Sequence, residues 1–367
     1  MKIFQVFESY PLFYQPYIPL TLQLLAKQDK IDSKIIAFDG VSDSETVEIL
    51  PSPKKRAYSE KLTGIFSNKN FNYLERKVLK EEVDVIHLQH SFLFNKVKTL
   101  LDTEMTNKPK IVVTLRGKDT YVKPWVSPRW RDFYKFSGDK VDAFVVMSID
   151  QKHYLSRWGV PLDRIHVIPI SFGLPFKAEP TLPNKAKMKV ISVFRMCWEK
   201  NIADNLRLIK KIKDLGIDVQ YDVFGDGKDL GQLFYLINRY ELTDCVTVKG
   251  KVENSIIKSK LKNYDFILQL SHSESFGMSV VEAQTHGVPA VVSNSGGLPE
   301  IVIDQNTGFV GGYDDLDALV SKAIELWKDP EVYFKFSKSS IDNAQDKYNV
   351  NCEVELLKVM YRKILKK

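Results

Sequence analysis

The sequence predicts an α/β protein made of two doubly wound, Rossmann-like domains. Short β-branched and apolar runs alternate with stretches of helical periodicity along the chain. Most of these runs are apolar on both faces, as parallel strands covered by helices on both sides require. Eleven such runs are present, which is too many for one doubly wound sheet, so we expect two sheets.

The predicted strands fall into two groups, one in each half of the chain. Those of the first half are Lys2–Val6, Lys34–Phe38, Asp84–Gln89, Lys110–Leu115, Asp142–Met147 and Arg164–Ile168. Those of the second half are Lys189–Phe194, Asp218–Phe224, Cys245–Lys249, Asp265–Leu270 and Pro289–Ser293.

A linker is predicted at residues 173–188, where proline and glycine recur without helical or strand periodicity. It separates a first domain of residues 1–172 from a second of residues 189–349. A last helix is predicted at Val350–Lys367, because its apolar residues recur at helical spacing and its final lysines suit the helix dipole.

Composition indicates an ordinary globular protein. The 367 residues suffice for two or three domains of roughly 100–200 residues each. Hydrophobic residues make up 44% and charged residues 27%, which excludes global disorder, and glycine and proline show no fibrous period. The net charge of +7 permits an anionic partner. It gives too weak a positive field to indicate nucleic-acid binding, and the sequence contains no nucleic-acid recognition motif.

Cysteine usage and apolar runs indicate a cytoplasmic location. Cys197, Cys245 and Cys352 are far apart and form no CxxC pair, so neither a disulfide framework nor a zinc site is expected. The N-terminus has the pattern of a strand rather than a signal peptide. No window approaches the 18 apolar residues of a membrane span, so we expect at most peripheral contact with the inner face of the cell membrane.

The most informative stretch is residues 271–289, which follows a predicted strand and opens a helix expected from about Gly277 to Gly287. Glu274 lies in the turn before this helix, and Glu282 lies about one and a half turns inside it. A glycine at the helix start lets the backbone approach a ligand, and a helix N-terminus suits phosphate. The pattern favours a sugar diphosphate, whose hydroxyls can donate to carboxylates.

The alternative interpretation is that both acids are ordinary. Glu274 would then be a helix N-terminal acid and Glu282 a solvated one. The apolar neighbours of Glu282 weaken this alternative, because a charge on a packing face needs a partner.

Four short sequence blocks follow one another along the second half of the chain. They are Glu274–Glu282 with the spacing E-x7-E, Gly287–Val292, Gly296–Val302 and Asn306–Val310. Together they resemble the donor domain of the retaining, nucleotide-sugar-dependent glycosyltransferases of family four. The resemblance implies the GT-B fold, in which two Rossmann-like domains face across a cleft and the last helix returns to the first domain.

Earlier segments continue this resemblance. Arg195 and Lys200 match an R-x4-K stretch whose two cations hold the donor diphosphate, and a cation pair at this spacing can clamp two phosphates. The family usually has glycine after this lysine, and Asn201 stands there in this chain. Gly225-Asp226-Gly227 resembles a turn beside the nucleotide; as a dinucleotide fingerprint it fails, because Leu230 stands where the third glycine belongs.

The resemblance implies donor contacts at eleven positions, with Glu274 at the transferred sugar and Glu282 at the ribose. They are Arg195, Lys200, Gly225, Gly250, Lys251, Val252, Glu274, Phe276, Gly277, Met278 and Glu282. The predicted catalytic residues are Glu274, Arg195, Lys200 and Asp119.

The first half resembles the family less closely. Residues 114–119 read T-L-R-G-K-D where members often carry T-x-H-G-x-D, so Arg116 replaces a histidine. Arg116, Gly117 and Asp119 are the predicted acceptor-side residues; for Asp119 an Asx turn is the alternative. The early Gly-Gly loop of the family is absent, and Tyr10–Tyr17 stands in its place.

No metal site is predicted. His87 and His90 lie three apart near a strand end and point to opposite faces, so they are not expected to share an ion. The strand end that carries His87 resembles a strand end that lies near the cleft in the family. We expect His87 to support the site rather than touch substrate.

Two segments concentrate positive charge. Pro51–Lys80 carries eight basic residues against two acidic ones, and in Tyr121–Lys135 aromatic residues alternate with cations. This composition suits an anionic membrane surface or a lipid-linked acceptor. Sugar stacking on the aromatics, or a core helix with a solvated rim, would explain it equally.

The expected function is transfer of a hexosyl group from a nucleoside diphosphate sugar to an acceptor hydroxyl, in bacterial-type surface polysaccharide or glycolipid assembly. We expect no cofactor and no metal. The alternatives are a nucleotide-sugar epimerase or sugar phosphorylase on the same fold, or a catalytically silent donor-binding partner subunit. The departures at Arg116 and the Gly-Gly loop motivate the last of these.

Overall fold

The computed structural model describes residues 1–11, 17–42, 44–64 and 71–366. The chain forms two compact units, of which the first is Met1–Gly173 with Val350–Lys367 and the second is Leu174–Asn349. Residues 174–187, within the predicted linker, contain no helix or strand and belong to the second unit. Most of Tyr10–Tyr17 and part of Pro51–Lys80 lie outside the described residues.

The first unit is built on one parallel sheet. Its strands are β1 (Lys2–Tyr10), β2 (Asp32–Gly40), β3 (Val47–Ile49), β4 (Val85–Leu88), β5 (Lys110–Thr114), β6 (Ala143–Val146) and β7 (Ile165–Val167). Their spatial order is β3-β2-β1-β4-β5-β6-β7. The helices are α1 (Ile18–Ala26), α2 (Pro53–Gly64), α3 (Tyr73–Lys80), α4 (Lys98–Asp102), α5 (Lys118–Tyr121), α6 (Lys123–Val126), α7 (Pro128–Ser137) and α8 (Ile149–Ser156).

The second unit repeats this plan. Its strands are β8 (Met188–Val193), β9 (Val219–Phe224), β10 (Val246–Gly250), β11 (Phe266–Gln269), β12 (Ala290–Ser293) and β13 (Gly308–Gly311), in the spatial order β10-β9-β8-β11-β12-β13. The helices are α9 (Ile202–Asp214), α10 (Leu230–Arg239), α11 (Asn254–Lys260), α12 (Met278–Gln284), α13 (Leu298–Ile301), α14 (Leu316–Lys328) and α15 (Pro330–Lys347).

The chain ends in α16 (Val350–Leu365), which belongs to the first unit. It buries Val354, Leu357, Tyr361 and Ile364, residues at helical spacing, and it packs near α1. Short 3₁₀ turns occur at Ser91–Val97, Leu162–Arg164, Trp198–Lys200 and Leu261–Asn263. No helix in the described ranges is long and apolar enough to cross a membrane.

The predicted α/β class with two parallel sheets is confirmed, and each of the eleven predicted strands is found. Two strands were not predicted. β3 has three residues, all partly exposed, and so lacks a strong apolar pattern. β13 begins at Gly308, a residue type that strands disfavour; a Cβ there would lie 2.0 Å from the Ala290 carbonyl oxygen, so the close pairing requires glycine.

Both sheets contain a switch point, where neighbouring strands lead into helices on opposite faces. It lies between β1 and β4 in the first unit and between β8 and β11 in the second. In open α/β sheets, the loops at the carboxyl ends of such strands diverge and leave a crevice in which ligands bind.

Candidate active site

The switch point of the second sheet carries three of the four predicted catalytic residues. Arg195 and Lys200 lie in the loop after β8, and Glu274 lies in the loop after the adjacent strand β11. The two loops are joined by backbone hydrogen bonds from residues 272 and 273 to the Glu199 carbonyl, at 2.8 and 3.2 Å. The parallel sheet therefore brings together residues that are 74 positions apart.

Lys200 and Glu274 form an ion pair between side chains that are only 15% and 11% exposed. The amide nitrogen of Gln269 donates to the same carboxylate oxygen of Glu274. Within the described residues the Lys200 ammonium uses one of its three donors, and the exposed Arg195 guanidinium has no hydrogen bond or ion pair. The loop therefore presents two cations with donors to spare, beside an anchored carboxylate.

The Gly225-Asp226-Gly227 turn shapes the loop that carries Arg195. Gly225 has φ +125°, and a Cβ there would lie 1.9 Å from the Phe194 carbonyl oxygen. The Met196 N–H donates to the Asp226 carbonyl at 2.9 Å. The turn was predicted beside the nucleotide; the contacts found are with the loop of the two cations.

The predicted residues Gly250, Lys251 and Val252 lie at the carboxyl end of β10. The Gly250 carbonyl accepts a hydrogen bond from Gly225 N–H at 2.8 Å, which ties this segment to the same loops. Lys251 is exposed and Val252 half-buried, and a contact of this segment with the donor stays a prediction.

The helix that follows Glu274 is shorter than predicted. α12 covers Met278–Gln284 instead of extending to Gly287, and its seven residues support only a small dipole. Gly277 precedes it with φ +110°, and a Cβ there would lie 2.8 Å from Leu298 Cδ2. The side chain of Phe276 is in the core, so only its backbone remains for a ligand.

Glu282, on α12, has the partners that its apolar surroundings require. Its carboxylate is 11% exposed and accepts from Asn254 Nδ2 at 3.1 and 3.2 Å, while Lys258 Nζ lies 3.0 Å from Oε1. Both partners are on α11. Glu282 is therefore not a solvated acid, and its predicted contact with ribose would be made by a carboxylate already held in place.

The glycine pair of the third sequence block holds the backbone of Glu274. The Gly297 N–H donates to the Glu274 carbonyl at 2.9 Å. Gly296 has φ +56°, and a Cβ there would lie 1.9 Å from that carbonyl oxygen. Gly296 was not among the predicted site residues, because nothing in its local sequence indicates which distant backbone it meets.

Gly296→Ala is expected to displace the Glu274 backbone and to lower the free energy of unfolding by roughly 1–3 kcal/mol, with a matching loss of activity. Gly231→Ala is the control, since Gly231 lies within α10 and a Cβ there meets nothing within 4 Å. The control should leave stability unchanged or raise it. Urea unfolding measures both; equal stability of the two variants would contradict the close approach at Gly296.

Asn201 occupies the position where the family usually has glycine. It adopts the left-handed conformation, with φ +49°, and caps α9 by accepting from the Asp204 N–H. Asparagine is among the few other residues that tolerate this conformation, so the departure preserves the local backbone.

The first unit places Asp119 inside the loop after β5. One carboxylate oxygen accepts from the N–H groups of Arg116 and Gly117 at 3.1 and 3.0 Å, and the other accepts from the Ser91 hydroxyl at 2.7 Å. Burial raises the pKa of Asp119, although these hydrogen bonds oppose the rise. Asp119 therefore shapes the loop of Arg116, and a direct catalytic contact stays a prediction.

His87 is engaged at both ring nitrogens. Nδ1 lies 2.6 Å from the Tyr361 hydroxyl oxygen, and Nε2 lies 2.6 Å from Thr114 Oγ1. Burial, followed by the charge on Arg116, lowers the pKa of His87 to about 3, so the ring is neutral. Across the described residues no group of three or more histidine, cysteine or acidic side chains could hold a metal ion.

Several residues that support the site were not predicted, namely Gln269, Asn254, Lys258 and Gly296. Gln269 is the only one with a usable signal: it is a buried polar residue at the end of an apolar strand, five positions before Glu274. The others contact the site from distant segments.

Comparison with known proteins gives matches along most of the chain. The family described as Glycosyltransferase Family 4 matches residues 23–170, and the family described as Glycosyl transferases group 1 matches residues 175–346. N-acetyl-alpha-D-glucosaminyl L-malate synthase of Bacillus anthracis is 24% identical over 296 residues, which cover 78% of this chain and 76% of the relative. An uncharacterized 41.2 kDa protein in the cps region of Klebsiella pneumoniae is 25% identical and covers 87% of this chain and 92% of its own.

The fold has close counterparts among solved structures. Sucrose-phosphate synthase from Thermosynechococcus elongatus aligns with a TM-score of 0.76 at 18% identity, covering 100% of this chain and 99% of that one. At this identity the likeness concerns the fold.

Proposed function

Because this chain belongs to the family 4 glycosyltransferases, with a group 1 glycosyltransferase domain as its second unit, we propose that it moves a hexosyl group from a nucleoside diphosphate sugar to an acceptor hydroxyl with retention. The observation that carries the proposal is the cluster of Arg195, Lys200 and Glu274 at the switch point of the second sheet. Two cations with unused donors match a diphosphate, and the carboxylate matches sugar hydroxyls.

The chain's residues would act mainly through electrostatics. When the bond between the anomeric carbon and the phosphate oxygen breaks, its electron pair leaves with the diphosphate. Arg195 and Lys200 would stabilise that developing charge, and Glu274 would face the positive charge that develops on the sugar. The acceptor oxygen forms the new bond, and its proton passes to the departing phosphate.

Two cations on the protein can neutralise the diphosphate as a divalent ion would. We therefore propose that transfer is independent of metal, so turnover in excess EDTA should equal turnover in Mg²⁺. Loss of activity in EDTA, restored by Mg²⁺, would overturn this part of the proposal.

The test of the function is a transfer assay with uridine and guanosine diphosphate hexoses against a panel of glycan and lipid-linked acceptors, with the product linkage read by NMR. The proposal expects an acceptor-dependent product that keeps the anomeric configuration of the donor. An inverted linkage would refute retention. Conversion of the donor without acceptor would indicate an epimerase, and donor binding without any product would indicate a silent partner subunit.

We further propose that the acceptor is lipid-linked and that the first unit contacts an anionic membrane surface. Support comes from the basic, aromatic segment Tyr121–Lys135. Val126 within this segment and Phe136, the next residue after it, are 72% and 61% exposed, and the segment's cations Arg131 and Lys135 are also exposed. Exposed apolar groups beside cations are suited to the headgroup region of anionic lipids.

Val126→Ser combined with Phe136→Ser is expected to weaken binding to phosphatidylglycerol vesicles at least about tenfold, because two apolar groups lose their burial in the interface. Phe234→Ser is the control, since Phe234 is 54% exposed but lies in the second unit. Sedimentation with vesicles measures the binding. Equal binding of the wild-type chain to phosphatidylcholine vesicles, or no loss in the double variant, would contradict the contact.

A further inference from the structure

A chain of hydrogen bonds between buried side chains connects the last helix to Arg116. Arg116 lies just after β5, at the carboxyl edge of the first sheet, and its Nη2 donates to Gln89 Oε1 at 3.0 Å. Gln89 Nε2 donates to Gln5 Oε1 at 2.8 Å, and Gln5 Nε2 donates to the Tyr361 hydroxyl at 3.1 Å. Because Gln5 is on β1 and Tyr361 is on α16, these hydrogen bonds connect the first strand of the sequence with its last helix.

The chain continues from Tyr361 to the end of β5. The Tyr361 hydroxyl accepts from Gln5, so its own proton is available to His87 Nδ1 at 2.6 Å. A neutral imidazole that accepts at Nδ1 carries its proton on Nε2, which then donates to Thr114 Oγ1 at 2.6 Å. All donors therefore point in one direction, from Arg116 to Thr114, and each bond polarises the next.

The linking side chains have almost no contact with solvent. Gln5 and Tyr361 are 0% exposed, His87 is 1% and Gln89 is 5%. A buried polar group that loses its partner is costly, so each member fixes the orientation of its neighbours. The arrangement holds the Gln89 carbonyl oxygen, and with it the guanidinium of Arg116, in one place.

A second residue of α16 also acts on Arg116. The carboxylate of Glu353 is buried and accepts from Thr21 Oγ1 at 2.9 Å and from Ser171 N–H at 3.0 Å. Burial raises the pKa of Glu353, and the charge on Arg116 opposes that rise. Arg116 and Glu353 both line a cavity of about 30 Å³. The last helix thus offers Arg116 both a hydrogen-bonded link and a carboxyl group at the same small cavity.

We propose that Tyr361 is a positioning residue for sugar transfer, which acts through Gln5 and Gln89 to hold the Arg116 guanidinium where it contacts substrate. The inference rests on the proposed function, in which Arg116 stands where family members often carry a histidine. It assigns to the last helix a part in the reaction, and none of the four linking side chains was predicted to contact substrate.

The experiment compares wild type with Tyr361→Phe, Arg116→Ala and the double variant. Tyr361→Phe removes one oxygen, and we expect kcat to fall about tenfold, the equivalent of one hydrogen bond, while the Kd of the donor stays unchanged. In the Arg116→Ala background the same change should have almost no further effect, because both residues act through one interaction. Losses that multiply would show a merely structural role and overturn the proposal.

Tyr333→Phe is the matched control. Its hydroxyl is equally buried and donates to the Asp265 carbonyl at 2.8 Å, but it lies in the second unit, so kcat should remain at the wild-type value. A loss equal to that of Tyr361→Phe would contradict the specific role of Tyr361.

Nitrogen NMR of His87 keeps this inference separate from the proposed function. The imidazole should be the Nε2–H tautomer in wild type, and its nitrogen shifts should change in Tyr361→Phe and, more weakly, in Arg116→Ala. An Nδ1–H tautomer in wild type, or shifts unaffected by Tyr361→Phe, would refute the hydrogen-bonded chain. If the protein shows the expected nitrogen shifts but transfers no sugar, the proposed function is refuted and the hydrogen-bonded chain is not.

Discussion

Replacing Arg195 or Lys200 by alanine is expected to lower turnover about 100- to 1,000-fold, the loss typical of removing one group that stabilises developing negative charge. The two cations lie in the loop after β8, and Lys200 is fixed by its ion pair with Glu274. Alanine removes the charge and keeps the backbone. Steady-state kinetics of transfer measures the effect, and circular dichroism checks that the fold is retained.

Lys211→Ala is the control for these two variants. Lys211 also belongs to the second unit and pairs with Asp317 at 2.7 Å, but it lies on the exposed face of α9. We expect its turnover to equal that of wild type, since an exposed ion pair contributes little. Near wild-type turnover in both Arg195→Ala and Lys200→Ala would refute the role of the cations.

Glu274→Gln is expected to lower kcat about 100-fold, because the amide keeps the shape of the carboxylate but not the charge that would face the transferred sugar. The change also removes the counter-ion of Lys200 from a poorly solvated position, so the ion pair is lost with it. The contact between the Glu274 carbonyl and Gly297 is made by the backbone and should persist.

The control for Glu274→Gln is Glu325→Gln, which removes the charge of an exposed glutamate on α14 in the same unit. Its kcat should not change. If Glu274→Gln also retained wild-type kcat while donor affinity stayed the same, Glu274 would have no part in the chemistry.

The fold could be predicted from the sequence because its signals are local. Apolar runs, helical spacing and the proline-rich boundary each occupy a short window, and the eleven strands that they predict are found. The two missed strands lack such a signal. β3 is partly exposed. β13 starts at Gly308, where only glycine leaves room for the backbone of Ala290 on the neighbouring strand.

The site could be predicted only in part, because a sequence motif identifies the site residues but not the tertiary contacts that position their side chains. The glycine at the predicted helix start indicates an anion site between Glu274 and Glu282, and the apolar neighbours of Glu282 indicate that it needs a partner. That this partner is Asn254 with Lys258 depends on how α11 packs, which no local pattern shows. The buried chain from Arg116 to Tyr361 joins residues up to 356 positions apart and depends on the tertiary fold.

Thermal unfolding with a panel of nucleoside diphosphate sugars tests the central claim most directly. If the second unit holds a diphosphate between Arg195 and Lys200, one donor should stabilise the chain by about 2.7 kcal/mol at a hundredfold excess over its Kd. The gain should disappear in the Arg195→Ala, Lys200→Ala double variant. No stabilisation by any nucleotide sugar, or an equal gain in the double variant, would contradict the account.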